Sequence, residues 1–107
     1  MVKNEGDVFV VKAHFTLEGK KLLAICDKEI LGKIFEQGNR QLDISSDFYK
    51  GEEVDEEKLR GEIGTANILN VVGDKSIKLL QKYNLADDKH IMYVSKVPHA
   101  QVLLADK

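Results

Sequence analysis

The segment from Val97 to Gln101 places a proline, an imidazole and a side-chain amide close together. His99 can act as a base, a ligand or a hydrogen-bond donor, since imidazole titrates near neutral pH. Because Pro98 has no N–H group to donate to a sheet, it predicts a bend or an edge, where functional residues often lie. We therefore predict a candidate functional bend at Pro98, His99 and Gln101. The structural alternative is that Pro98 shapes the bend while the two polar side chains bond exposed backbone groups.

Asp27 and Lys33 form a second constellation, with candidate contacts to an anion or a partner. Asp27 follows the apolar run at 22–26, and Lys33 follows Gly32. The backbone at this glycine and the Lys33 ammonium can meet an anion together. The pattern is not a phosphate-binding loop, because the preceding glycine and the following Ser or Thr are missing. The structural alternative is an Asp that caps a helix beside a solvated Lys.

Cys26 and the three histidines are the remaining candidates for chemistry. Cys26 can serve as a nucleophile with His14 or His99 as its base. Because Cys26 ends an apolar strand, a packed and inert thiol is favoured. His14, His90 and His99 lack the i, i+4 helical spacing of a metal site. We expect no catalytic residue, no metal and no cofactor.

Periodicity and turn residues predict the elements that position these side chains. Apolar residues alternate over 8–17, and an apolar run at 22–26 follows Gly19, which predicts a hairpin of two strands. A helix is predicted over 28–36 and a short strand over 41–45. Further helices are expected to begin at Asp55 and Asp74, separated by a break at 70–73. Strands are predicted at 90–94 and 101–105.

The predicted order is β-β-α-β-α-α-β-β, which is typical of an α+β domain. We predict a mixed or antiparallel sheet of about five strands with about three helices on one face. At 107 residues, the chain is expected to form one domain over 1–107, with a polar, flexible start at 1–6. Ten side chains are expected in the core: Phe9, Val11, Phe15, Leu23, Ile25, Ile34, Ile63, Ile77, Leu80 and Met92.

Composition and charge exclude several classes of function. With 16 basic and 18 acidic residues the net charge is −2, which lacks the basic excess typical of sequence-independent nucleic-acid binders. A local basic face stays open, because 14 of the 16 basic residues are lysines that can cluster. We expect no sequence-specific DNA binding either. The single cysteine indicates a reducing compartment, and we expect neither a signal peptide nor a membrane span. A cytoplasmic protein is therefore predicted. Its Lys- and Glu-rich composition without Trp is typical of heat-adapted proteins.

Several segments together are similar to one family in their order and spacing. They are LAICD at 23–27 with EILGK at 29–33, LDIS at 42–45 with FYKGE at 48–52, NVVG at 70–73, and VPHAQ at 97–101. The set resembles a small archaeal family known as a domain of unknown function, family four-two-four, over residues 8–103. The resemblance implies an archaeal, cytoplasmic, single-domain protein and implies no catalytic mechanism.

The absence of a catalytic triad, phosphate loop, metal box or carboxylate pair from the sequence favours an interaction module over an enzyme. We predict a non-enzymatic module of a ribonucleoprotein or translation-related complex, with a protein or ribonucleoprotein partner. Two alternatives stay open. One is a small enzyme or ligand-binding domain centred on His99, with Asp27 and Lys33 nearby. The other is a homodimeric structural protein that pairs through an edge strand.

Overall fold

The chain enters its main sheet as a hairpin in the computed structural model, which describes residues 6–104. Strands β1 (Phe9–Phe15) and β2 (Lys21–Asp27) pair antiparallel, with Phe9 opposite Asp27. Gly19 turns the chain with φ of +87°, a conformation that glycine adopts without steric cost. The hairpin predicted from the alternating pattern is therefore confirmed.

The segment predicted as a helix over 28–36 folds as a 3₁₀ turn and the start of a strand instead, and the short strand predicted over 41–45 is confirmed as the partner of that strand. A 3₁₀ turn at Lys28–Ile30 leads into β3 (Ile34–Gln37), which pairs antiparallel with β4 (Arg40–Asp43). Gly32 has φ of +94°, which ends any helical path before β3. The apolar residues that suggested a helical face pack between this hairpin and the main sheet: Ile30, Leu31 and Phe35.

The described residues contain two α-helices rather than the predicted three. A 3₁₀ turn at Asp47–Tyr49 precedes β5 (Glu52–Val54) and helix α1 (Glu56–Ile63). Asp55 caps α1 as predicted, because its Oδ1 accepts the Lys58 N–H at 2.9 Å. Helix α2 (Asp74–Lys82) is the second helix, and it ends before Asn84, which adopts a φ of +59°.

Strand β6 (Ile68–Val72) lies near the centre of the main sheet, where the sequence predicts only a helix break. It pairs parallel with β2 and antiparallel with β8 (Val97–Leu103). Covered strands of this kind lack the alternating pattern that reveals a half-buried strand. After a 3₁₀ turn at 88–90, β7 (Met92–Val94) completes the order β5-β1-β2-β6-β8-β7. The described residues thus hold eight strands, more than the five predicted.

The main sheet has two differently covered faces. Helices α1 and α2 cover the inner face, whose core includes Phe9, Ile25 and Leu59. The β3–β4 hairpin covers the outer face, over a smaller cluster formed by Val10, Cys26, Ile44 and Val72. Successive residues of a strand alternate between the faces. Asp27 therefore lies on the inner face and Cys26 on the outer face.

Seven of the ten predicted core residues are buried, and three are not. Phe15 is 67% exposed at the end of β1, and Met92 is 52% exposed on the edge strand β7. Ile34 is 52% exposed because it begins the hairpin instead of lying on a helix. Residues 1–5 of the predicted flexible start and Ala105 of the predicted last strand lie outside the described residues.

Candidate functional site

The predicted functional bend is a strand in the structure. Pro98, His99 and Gln101 all lie within β8, so their prediction as bend residues is wrong. The chain turns earlier, at Ser95 and Lys96, whose φ angles are +51° and +69°. These two left-handed residues make the tight connection between β7 and β8, in the geometry that suits the twist of a hairpin.

Pro98 is tolerated inside the sheet because no carbonyl of the neighbouring strand needs the N–H group that proline lacks. Its carbonyl accepts the N–H of Gly73 at 2.9 Å. In antiparallel pairing the missing Pro98 N–H would bond the Gly73 carbonyl in return. That carbonyl instead accepts the N–H of Ile77 at 2.9 Å, in the first turn of α2. The proline therefore marks the place where the sheet gives way to a helix.

Asp27 caps helix α2 with both carboxylate oxygens. It is only 5% exposed. Its Oδ1 accepts the Ser76 N–H at 2.8 Å and the Ser76 hydroxyl at 2.6 Å, and its Oδ2 accepts the Lys75 N–H at 3.0 Å. The carboxylate also lies against Gly73, where a Cβ would collide with it. The positive end of α2 is thus occupied by the chain's own carboxylate.

Lys33 does not share a site with Asp27. Its side chain is exposed on the loop before β3, and its backbone N–H and carbonyl bond Ile30 and Ile44 at 3.1 Å and 2.8 Å. Asp27 is buried under α2 with its oxygens engaged. The two residues therefore do not form one site, and the anion contact predicted for Gly32 and Lys33 stays a prediction.

His99 projects from β8 onto the outer face, opposite Val72 of β6. It lines a cavity of about 220 Å³ that lies between the sheet, the β3–β4 hairpin and the 3₁₀ turns. Asn70 and Gln101 are also opposite each other in these strands, so they share the outer face with His99. The remaining side-chain walls are Leu42, Tyr49, His90 and Met92.

The imidazole of His99 has hydrogen-bonding capacity that the protein does not use. Its Nε2 atom is buried and has no hydrogen-bond partner within residues 6–104. Burial, and next the positive charge of Arg40, lower the pKa of His99 below its usual 6.5. The neutral form of the ring is therefore favoured at pH 7. A buried polar group left unpaired costs about 1–3 kcal/mol, and the imidazole lines the cavity, so the ring of His99 is a candidate ligand contact.

Cys26 is packed and unreactive, as its place at the end of an apolar strand predicts. It is fully buried on the outer face. Burial, with a smaller effect from the Asp27 charge, raises the pKa of its thiol to about 12. The thiolate needed for nucleophilic attack is thus scarce at neutral pH.

The three histidines are dispersed. His14 is bonded through Nε2 to the Phe48 carbonyl at 2.9 Å and stacks on the Phe48 ring, while His90 pairs with Asp87. Across residues 6–104, no group of three or more His, Cys, Asp or Glu side chains is placed to hold a metal ion.

Two residues around the cavity were missed by reasoning from the sequence. Asn70 interrupts the apolar run ILNVV of β6, and a lone amide in such a run is a signal of a polar spot on a buried strand. Arg40 is one of two arginines in a lysine-rich chain, and that rarity is its only signal. Neither signal indicates which other residues lie nearby.

The comparisons with known proteins support the fold and leave the chemistry open. A family model described as "Protein of unknown function (DUF424)" matches residues 15–104. A crystal structure of an uncharacterized conserved protein from Methanopyrus kandleri is similar, with a TM-score of 0.73 and 24% sequence identity. The match covers 94% of this chain and 96% of that chain. No curated protein matches the sequence. None of the helices described is long and apolar enough to cross a membrane.

Proposed function

We propose that this chain, which belongs to the DUF424 family of proteins of unknown function, is a binding domain that takes an uncharged ring, alone or as part of a larger molecule, into the cavity beside His99. The observation that carries the proposal is the buried Nε2 atom of His99, which has no partner in the described part of the chain. The proposal corresponds to the ligand-binding alternative that the sequence analysis left open, except that His99 lies on strand β8 and not in a bend.

The walls of the cavity favour an uncharged, planar ligand. Asn70 and Gln101 offer amides, each with donors and an acceptor, and Tyr49 keeps its hydroxyl proton because burial raises its phenol pKa. A charged ligand would lose its hydration here without gaining an opposite charge from the walls. Leu42 and Met92 supply apolar surface for a ring. A cavity of about 150 Å³ holds one benzene ring, so about 220 Å³ suffices for a substituted single ring.

Binding is better supported than catalysis. A catalytic imidazole needs a neighbour that sets its tautomer or holds its charge. The predicted neighbours do not supply this, because Asp27 lies on the inner face and Lys33 is exposed on a loop. The amides of Asn70 and Gln101 donate and accept hydrogen bonds, and they do not transfer protons at neutral pH.

The wider role predicted from the sequence is retained as part of this proposal. A cytoplasmic ribonucleoprotein or translation-related module can use such a cavity to hold part of its partner. The homodimer alternative has less support, since the edge strands β5 and β7 have only three residues each. Edges this short offer few hydrogen bonds to a second sheet.

The proposal is tested with 2-pyridone, a neutral lactam ring that carries one donor and one acceptor. We expect it to shift the ring-nitrogen NMR signals of His99 and to saturate with a Kd on the order of 1 mM, given its few atoms. His99→Leu should abolish binding, and His14→Gln, on another part of the outer face, should leave it intact. Unchanged His99 signals at high ligand concentration in the folded protein would refute the proposal.

A further inference from the structure

The β3–β4 hairpin holds a fixed positive charge near the cavity. Its tip is tied to the β7–β8 turn, because the Ser95 N–H donates to Gln37 Oε1 at 2.7 Å. Arg40 lies opposite Gln37 in the hairpin and is exposed. It precedes the cavity wall residue Leu42 by two positions on β4, so the two side chains leave the strand on the same face. The positive charge of Arg40 also contributes to the lowered pKa of His99. An anchored hairpin therefore places a guanidinium close to a neutral pocket.

Arg40 is available to an anion. Several lysines of this chain are paired with a carboxylate, as Lys75 is with Glu29 at 2.8 Å and Lys82 with Glu56 at 2.8 Å. No carboxylate within residues 6–104 forms such a pair with Arg40. The other arginine, Arg60, lies over the Tyr83 ring at 4.9 Å. A free guanidinium suits phosphate, which it can bond through two N–H groups.

We infer that the ligand of this cavity is a nucleotide, whose base enters beside His99 and whose phosphate meets Arg40. The inference rests on the proposed function above. A nucleobase is an uncharged planar ring with donors and acceptors along one edge, which matches an imidazole flanked by the amides of Asn70 and Gln101. The size of the cavity favours a one-ring, pyrimidine base.

The nucleotide can be free or part of an RNA strand, and the surroundings of the cavity favour the strand. A second cavity of about 360 Å³ shares His90 and Gln101 with the first and continues along Leu85, Val102 and Leu103. This apolar extension gives a neighbouring base a surface to pack on. A mononucleotide fills only the first cavity, whereas a longer strand also reaches the second. Comparing ligands of different length therefore distinguishes a free nucleotide from an RNA strand.

The test compares uridine with its 5′-monophosphate, followed by the NMR signals of His99. We expect the monophosphate to bind about fivefold to tenfold more tightly, through a charge-assisted contact that weakens as salt is added. Arg40→Gln should reduce the monophosphate to the affinity of uridine and leave uridine binding unchanged. Arg60→Gln, the matched control on the helical side, should preserve the difference.

The outcomes separate this inference from the proposed function. Equal affinities for uridine and its monophosphate would overturn the nucleotide assignment and leave the binding cavity in place. Binding of 2-pyridone without binding of uridine would also overturn it. Failure of both rings to shift His99 would refute the proposed function itself. If the nucleotide binds, tighter binding of a short oligouridylate than of the monophosphate supports an RNA strand, and equal binding supports a free nucleotide.

Discussion

The two faces of the main sheet treat a buried polar group in opposite ways. On the inner face, Asp27 accepts three hydrogen bonds from the start of α2. On the outer face, the Nε2 atom of His99 accepts and donates none within residues 6–104. The hydrogen bonds of Asp27 give it a structural role, whereas the Nε2 atom of His99 has bonding capacity that the described residues leave unused. The comparison teaches that burial alone does not identify the role of a polar residue, and this difference in hydrogen bonding is the basis for proposing His99 as a ligand contact.

The largest expected effect is on the free energy of unfolding when a packed side chain is truncated, and it should differ between the two faces of the main sheet. Ile25→Ala should lower the free energy of unfolding by about 2–5 kcal/mol, because Ile25 is fully buried and a cavity would remain. Leu42→Ala, in the half-buried layer over the outer face, should cost less than about 1.5 kcal/mol. Urea denaturation measures both. Equal losses would show that the outer face is packed as tightly as the helical core.

The next effect concerns the cap of α2. Asp27→Ala should cost about 2–3 kcal/mol, because it removes a helix cap and leaves the N–H groups of Lys75 and Ser76 without their acceptor. Asp43→Ala is the matched control, since this exposed carboxylate bonds only the neighbouring Ser45 and should cost under about 1 kcal/mol. A loss at Asp27 no larger than at Asp43 would contradict the structural role.

A smaller effect is expected at His99. His99→Leu removes a buried nitrogen without a partner and fills the same space, so the free energy of unfolding should stay within about 1 kcal/mol of the wild type. Thermal unfolding and the 2-pyridone titration are measured on the same sample. We expect an unchanged melting temperature with lost binding. Destabilisation by more than about 2 kcal/mol would make His99 a structural residue and remove the contrast with Asp27.

The smallest effect is the dependence of stability on pH. The lowered pKa of His99 means that the folded state binds the proton less readily than the unfolded state. The free energy of unfolding should therefore fall as the pH drops from 6.5 toward the lowered pKa, and the effect should vanish above 6.5. Arg40, Tyr49 and His90 are the charged or titratable groups around the ring.

The contribution of His99 is isolated by comparing how the free energy of unfolding changes with pH in the wild type and in His99→Leu. Urea titrations from pH 7.5 to 5 should show a shallower loss of stability in His99→Leu than in the wild type. The same slope in His99→Leu as in the wild type would show that the imidazole is not held neutral by the fold.

Local patterns predicted the elements that depend on local contacts. The β1–β2 hairpin and the Asp55 cap of α1 were predicted from alternation, a glycine and a capping residue. The segment that contains β3 was predicted as a helix, because apolar pairs separated by four residues fit either structure and Gly32 decides between them. Strand β6 was missed because its partners, β2 and β8, are distant in the sequence.

The sequence analysis identified only those residues of the candidate site that lie on strand β8. His99 and Gln101 were singled out from their types and their nearness to Pro98. Asn70 and Arg40 belong to other strands, and only the pairing of β6 with β8 and the folding back of the hairpin bring them close to His99. Asp27 and Lys33 were predicted as neighbours of His99, but the alternation of β2 turns Asp27 to the other face.

The parallel pairing of β2 with β6 also affects the order in which the strands of the main sheet pair during folding. Parallel strands cannot be joined by a tight turn, and here the β3–β4 hairpin, β5 and α1 all lie between them in the chain. Hairpins such as β1–β2 and β7–β8 form within about 1–10 μs, whereas contacts between distant segments dominate the folding time. We therefore expect the pairing of β2 with β6 to form late in folding. Strand β6, which takes part in this late pairing, also forms the floor of the cavity together with β8. The cavity is therefore expected to be complete only near the end of folding.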